Sequence, residues 1–156
     1  MITKQKDFMD EILGKRLRYI GYCLDLLWMG FGDIIERDDT ILNQKEYVAQ
    51  YSVHIQCPFE IYHNQRKYMV LSSGDTSQFE YNQLEINKHL EKTFSQYCVD
   101  EFIQSYNFHN GNLTMQTQKL LINIFGTGDC DEAWRLFKTE SNDEHLVCRN
   151  GILQFE

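Results

Sequence analysis

No run in this chain approaches the roughly 18 consecutive apolar residues of a membrane-spanning helix. The opening Met1-Ile2-Thr3-Lys4-Gln5-Lys6-Asp7 also lacks the apolar segment of a secretory signal. Cysteines are five in number, and no two lie closer than 18 residues, so neither a zinc ribbon nor a CxxC redox motif is written here. An odd set of unpaired-looking thiols without a leader predicts a reduced, cytoplasmic protein. The five histidines, His54, His63, His89, His109 and His145, match neither HxxxH nor HExxH spacing, and no metal or cofactor is expected. Gly126-Thr127-Gly128 lacks the Lys-Ser/Thr of a phosphate-binding loop and reads as a tight turn.

Positive charge is scarce. Fifteen Lys and Arg stand against 23 Asp and Glu, a formal charge of −8, so phosphate backbones are repelled on average and nucleic acid is an unfavourable partner. A basic protein is the partner that such a surface steers, although plain solubility is the readier account of the acidity. Proline is almost missing, with Pro58 alone, and no repeat, low-complexity tract or Gly/Ser linker divides the 156 residues. One domain is therefore expected over residues 1–156, large enough to bury a core without disulfides or metals.

What is present is aromatic: ten Phe, nine Tyr and two Trp, side chains that fit pleated, half-buried surfaces. Phe8, Ile12 and Leu13, closed by Gly14, predict a short N-terminal helix. Leu17 to Phe31, punctuated by glycines, predicts one or two strands with a bend, and Asp38-Asp39-Thr40 a loop. The clearest alternation sets Tyr47, Ala49, Tyr51, Val53, Ile55 and Cys57 against Val48, Gln50, Ser52, His54 and Gln56. It describes an antiparallel strand with one apolar and one polar face, ended by Pro58.

After the turn-prone His63-Asn64-Gln65, Lys67–Leu71 reads as a returning strand, closed by Ser72-Ser73-Gly74-Asp75. A polar connection from Asp75 to Asn82 follows. Ile86, Leu90, Phe94 and Tyr97 then predict a helix. Strands are expected over Val99–Phe108, Leu113–Gln118 and Leu120–Phe125, the first two joined by the hairpin signal Asn110-Gly111. Asp129-Cys130-Asp131-Glu132 has a capping-box spacing that predicts one helical turn before Trp134-Arg135-Leu136-Phe137. Beyond the polar Lys138–Asp143, a second Asn-Gly hairpin joins His145–Cys148 to Ile152–Phe155. The predicted class is α+β: mainly antiparallel sheet built from hairpins, with a short N-terminal helix and one mid-chain helix packed on it.

No catalytic residue emerges. His54 and Cys57, three apart on a strand, point to opposite faces and cannot act as base and nucleophile together. Asp75 and the Asp38-Asp39 pair read first as turn chemistry. The candidate binding residues are His54 and Gln56 on the polar strand face, with Trp134 and Arg135, the residue mix of interface hot spots. A core anchor and an intramolecular ion pair are the plainer roles for those last two. An alternative gathers His54, Gln56, Asp75 and Arg135 around a small-ligand or enzymatic pocket.

Val53-His54-Ile55-Gln56-Cys57-Pro58-Phe59, the earlier Leu27-Trp28-Met29-Gly30-Phe31-Gly32, and Glu132-Ala133-Trp134-Arg135-Leu136-Phe137 with His145-Leu146-Val147 run through most of the chain. Together they resemble an uncharacterised bacterial family marked by an aliphatic-His-x-Gln-Cys-Pro-Trp-Arg strand and a Glu-x-Trp-Arg segment before a His-Leu-Val hairpin. The resemblance implies fold rather than activity. Small acidic proteins of this kind resemble immunity proteins that neutralise the toxins of neighbouring bacteria, which implies non-catalytic protein binding. The family's Trp-Arg after the proline is here Phe59-Glu60, so no role of that arginine passes to Glu60. Oligomeric state is left open.

Overall fold

The structure, a computed structural model, describes residues 1–64, 66–78, 82–128, 130–141 and 144–156. Helix α1 spans Thr3–Asp10 and turns Met9 inward, with Ile12 buried just beyond it. Leu17–Cys23 (β1) and Leu26–Asp39 (β2) then pair antiparallel around Leu24 and Asp25, both at positive φ. The bend expected here is thus a tight two-residue hairpin. Asp38 and Asp39 belong to β2 rather than to a loop, because β2 stays paired as far as Asp39 opposite Gln44. Gln44–Ile55 is β3. Ala49, Val53, Ile55 and, past its end, Cys57 are buried as the alternation predicts, whereas Tyr47 is exposed because β3 has left the body of the fold there.

Past Pro58 the chain changes sheets and forms Phe59–His63 (β4), a strand the sequence reading lacks, paired with Tyr68–Ser72 (β5). Of the turn between them, Gln65 lies outside the described residues. Ser73–Gln78 is a short helix, α2, and Phe79–Tyr81 of the polar connection also lie outside the described residues. Helix α3, Gln83–Thr93, is capped by the Asn82 side chain, which accepts from the Glu85 N–H at 3.2 Å. It continues through a π turn, Phe94–Cys98, that lets Ile86, Leu90 and Cys98 all face the core.

The expected strand over Val99–Phe108 shrinks to Ser105–His109 (β6). Its first residues run instead beside the chain entering β1, with Ile103 N–H bonded to Lys15 O at 2.9 Å and Leu17 N–H to Glu101 O at 2.8 Å. Asn110-Gly111 joins β6 to Asn112–Gln116 (β7), followed by Leu120–Phe125 (β8). No helical turn precedes Trp134 among the described residues Cys130–Ala133, and Asp129 lies outside them. Trp134–Lys138 is itself a strand, β9, since it lies between two others and its side chains alternate in burial. Leu146–Arg149 (β10) and Ile152–Phe155 (β11) close the chain around Asn150-Gly151 as expected; Asn142 and Asp143 lie outside the described residues.

The protein is α+β, with two antiparallel sheets in the orders β1-β2-β3-β9-β10-β11 and β5-β4-β8-β7-β6. Their inner faces share one core. Leu27, Ile55, Trp134, Cys148 and Leu153 form one cross-strand row of the larger sheet, and Met29, Val53, Leu136 and Leu146 the next. Ile61, Leu113, Met115, Ile122 and Ile124 answer from the smaller sheet. Helix α1 closes the side between β11 and β6, donating Gln5 Nε2 to Leu153 O at 2.7 Å while its Asp10 accepts from Tyr106 Oη at 2.6 Å. All five cysteines are free thiols. Among the described residues no helix is long and apolar enough to cross a membrane.

Candidate functional site

Strand alternation decides which groups share the outer face of the larger sheet. Since Ile55 and Trp134 pair on the inner face, the next pair along, His54 opposite Arg135, must face outward. Trp28 pairs with His54 on one side and Val147 with Arg135 on the other. The following outer row holds Gly30, Ser52 and Phe137, with His145 beside Phe137.

The side chains on this face are held in place. His54 meets the Phe137 ring edge-on, centroids 4.8 Å apart, and His145 stacks on the same ring at 4.6 Å. Arg135 spreads its guanidinium over two partners. Nε and Nη2 bind Glu132 Oε1 and Oε2 at 2.5 and 2.6 Å, and Nη1 donates to His145 Nδ1 at 2.9 Å. Glu132 accepts also from Arg149 Nη2 at 3.2 Å, and Arg149 in turn holds Glu156 through Nε and Nη2 at 2.5 and 3.0 Å. Nearer β1, the Tyr19 and Trp28 rings lie flat on the glycines opposite them. A Cβ at Gly30 would sit 2.3 Å from Tyr19 Cζ, and one at Gly21 2.2 Å from Trp28 Cε2.

Electrostatics follow from this packing. The hydrogen bonds from Arg135 hold the Glu132 carboxyl below its ordinary range. Burial lowers the pKa of His54 and of His145, and the Arg135 charge lowers each further. An acceptor Nδ1 facing a guanidinium requires neutral His145 with its proton on Nε2.

Of the residues singled out from the sequence, His54 and Arg135 meet on this face. Gln56 lies just past the end of β3 and beyond the cluster, exposed, its backbone N–H bonded to Ala133 O at 2.8 Å. Trp134 is fully buried, its Nε1–H donated to Gly111 O at 3.0 Å and its ring edge-on to Phe108 at 6.0 Å, so it offers no surface to a partner. Asp75 is in α2, against the other sheet, where its carboxylate caps Ser72 N–H at 2.9 Å. The four-residue pocket is therefore not assembled: Asp75 lies against the other sheet, His54 and Arg135 are half-buried on the outer face of the larger one, and Gln56 is exposed beyond them. Five surface hollows of about 300 to 430 Å³ lie elsewhere and take no lining from these residues. Among the described residues no cluster of His, Cys, Asp and Glu is arranged to hold a metal.

Phe137, His145, Glu132, Arg149 and Glu156 were not among the site residues the sequence points to. The signal was the alternation Trp134, Leu136 against Arg135, Phe137, which a strand reading of this segment would have used. Buried Glu101 was missed too. It accepts from Thr117 Oγ1 at 2.6 Å and Lys119 N–H at 2.8 Å and so fixes the turn into β8.

No protein-family model matches the chain, nor does any curated protein or solved structure.

Proposed function

We propose that the chain is a non-catalytic protein-binding protein of the immunity or inhibitor kind, and that its partner is basic. The observation that carries this reading is the outer face of the larger sheet. There an arginine, two histidines and a phenylalanine, each half-buried, are locked by mutual contacts. A small ligand is held by a concave site that buries most of its area, whereas a preorganised patch with an arginine and aromatics suits a protein surface. Nucleophilic catalysis on this face would require a nucleophile within reach of a histidine. Here the Phe137 ring contacts both imidazoles, edge-on to His54 and stacked on His145, Cys57 is buried on the core side, and Ser52 is only 4% exposed. The excess of carboxylates over cations supplies the steering toward a basic partner.

The test is affinity purification with the full chain at about 50 mM salt, where surface electrostatics are screened least. The captured protein is then identified, purified and titrated. A basic partner whose affinity falls about tenfold or more with His54→Ala or Arg135→Ala supports the reading. Recovery of no basic protein under these conditions overturns it.

A further inference from the structure

Beyond Gly32 and Ala49 the β2–β3 hairpin loses its neighbouring strands. β1 is last paired at Leu17 opposite Phe31, and β9 at Lys138 opposite Tyr51, yet β2 and β3 stay paired to Asp39 opposite Gln44. From Asp33 to Val48 not one residue is buried. The result is a two-stranded arm about 20 Å long standing off the body of the fold. Isolated two-stranded ribbons are marginal in water, so this arm must be braced. Arg37 pairs with Glu46 on one face and donates Nη1 to Thr139 O at 3.1 Å, while Lys45 bridges Asp38 at 2.6 Å and Glu36 at 3.6 Å on the other.

The tip of the arm is apolar, and its shape is fixed. Ile41 is 91% and Leu42 64% exposed. The Asp39 carboxylate accepts from both their backbone N–H groups, at 2.9 and 3.1 Å, and Asn43 at φ 49 turns the chain back. A turn built in this way presents two large aliphatic side chains to solvent with little backbone freedom left to lose on binding. Five carboxylates, Asp33, Glu36, Asp38, Asp39 and Glu46, against two cations, Arg37 and Lys45, make the arm acidic from base to tip. Two such arms repel each other, and an anionic membrane surface repels either, so neither a second arm nor an anionic lipid surface complements it.

We propose that residues 33–48 are a docking arm that places Ile41 and Leu42 in an apolar pocket rimmed by Lys and Arg on a basic protein partner. The proposal rests on the protein-binding reading above and adds a second contact surface to it. The experiment carries a p-benzoylphenylalanine photo-crosslinker in the full chain, at Leu42 in one version and at Gln56 beside the sheet-face cluster in another. Crosslinked proteins are identified, purified and titrated with the unmodified chain and its variants. A basic protein is expected to crosslink at position 42, and its affinity is expected to fall about tenfold or more with Ile41→Ser plus Leu42→Ser. Asp38→Asn, which leaves the Asp39 turn intact, is expected to slow association chiefly at low salt.

A basic partner that crosslinks at position 56 and binds the Ile41→Ser plus Leu42→Ser variant unchanged would overturn the arm and leave the protein-binding reading standing. A basic protein at neither position would overturn both. Crosslinks between two copies of the chain with a dimer mass by light scattering, or cosedimentation of the full chain with phosphatidylserine vesicles that Ile41→Ser plus Leu42→Ser abolishes, would replace the proposed occupant and so refute it.

Discussion

Replacing Trp134 by alanine separates a core role from an interface role. The indole is fully buried in the row Leu27, Ile55, Trp134, Cys148, Leu153. A side chain of this size removes roughly 200 Å² from water, worth about 5 kcal/mol at 25 cal/mol/Å². Measured losses for Phe or Trp to Ala in cores run about 3–5 kcal/mol. The Gly111 carbonyl also loses its indole donor and, among the described residues, keeps the Cys148 thiol at 3.7 Å. We therefore expect Trp134→Ala to cost about 4 kcal/mol, a large part of the roughly 5–15 kcal/mol that holds a domain together. In urea, with a slope of about 2 kcal/mol per molar, the midpoint should drop by about 2 M. Trp134→Phe keeps most of the ring volume and loses the N–H, and should cost about 1–2 kcal/mol. If Trp134→Ala shifts the midpoint by less than about 0.5 M while abolishing partner binding, the packing argument fails and the residue is an interface anchor.

Acid should loosen the sheet face. Both His54 and His145 have lowered pKa values in the folded chain, so the unfolded chain takes up protons first as pH falls. Their stabilisation is full above the ordinary histidine pKa of about 6.5 and declines as pH drops from there toward the folded values. Urea midpoints from pH 8 to pH 5 should show that decline, and His145→Gln plus His54→Gln should flatten it; an unchanged slope would count against the arrangement. Gly111→Ala should destabilise by more than about 2 kcal/mol, because φ is +87 and the new Cβ would lie 2.7 Å from the Gly126 carbonyl oxygen. A thermal melt within error of the parent would contradict that contact. Burial pushes the Cys57 and Cys98 thiols up to about 12, so maleimide at neutral pH should label exposed Cys23 well before either, and equal rates would contradict their burial.

The residues alone determined much of the local structure. The alternation through Ala49, Val53, Ile55 and Cys57 has a period of two, and only an extended chain can put such residues on one side, so β3 was legible. Both Asn-Gly hairpins were legible because positive φ at consecutive residues is cheap for that pair, and the structure has Asn110 and Asn150 at φ 50 and 49. The mid-chain helix showed in Ile86 and Leu90. Other features were settled only by neighbours distant in sequence. Trp134–Lys138 reads ambiguously by itself and became a strand because β3 and β10 supply hydrogen bonds on both its edges. The division into two sheets turns on the crossing at Pro58, which the local pattern marks merely as a strand end. Trp134 and Arg135 are adjacent in sequence with opposite fates, one sealed against Gly111 and the other gripping Glu132 and His145. Periodicity assigns neighbouring residues to opposite faces, but only the completed fold decides which face meets water, because that depends on where the second sheet lies.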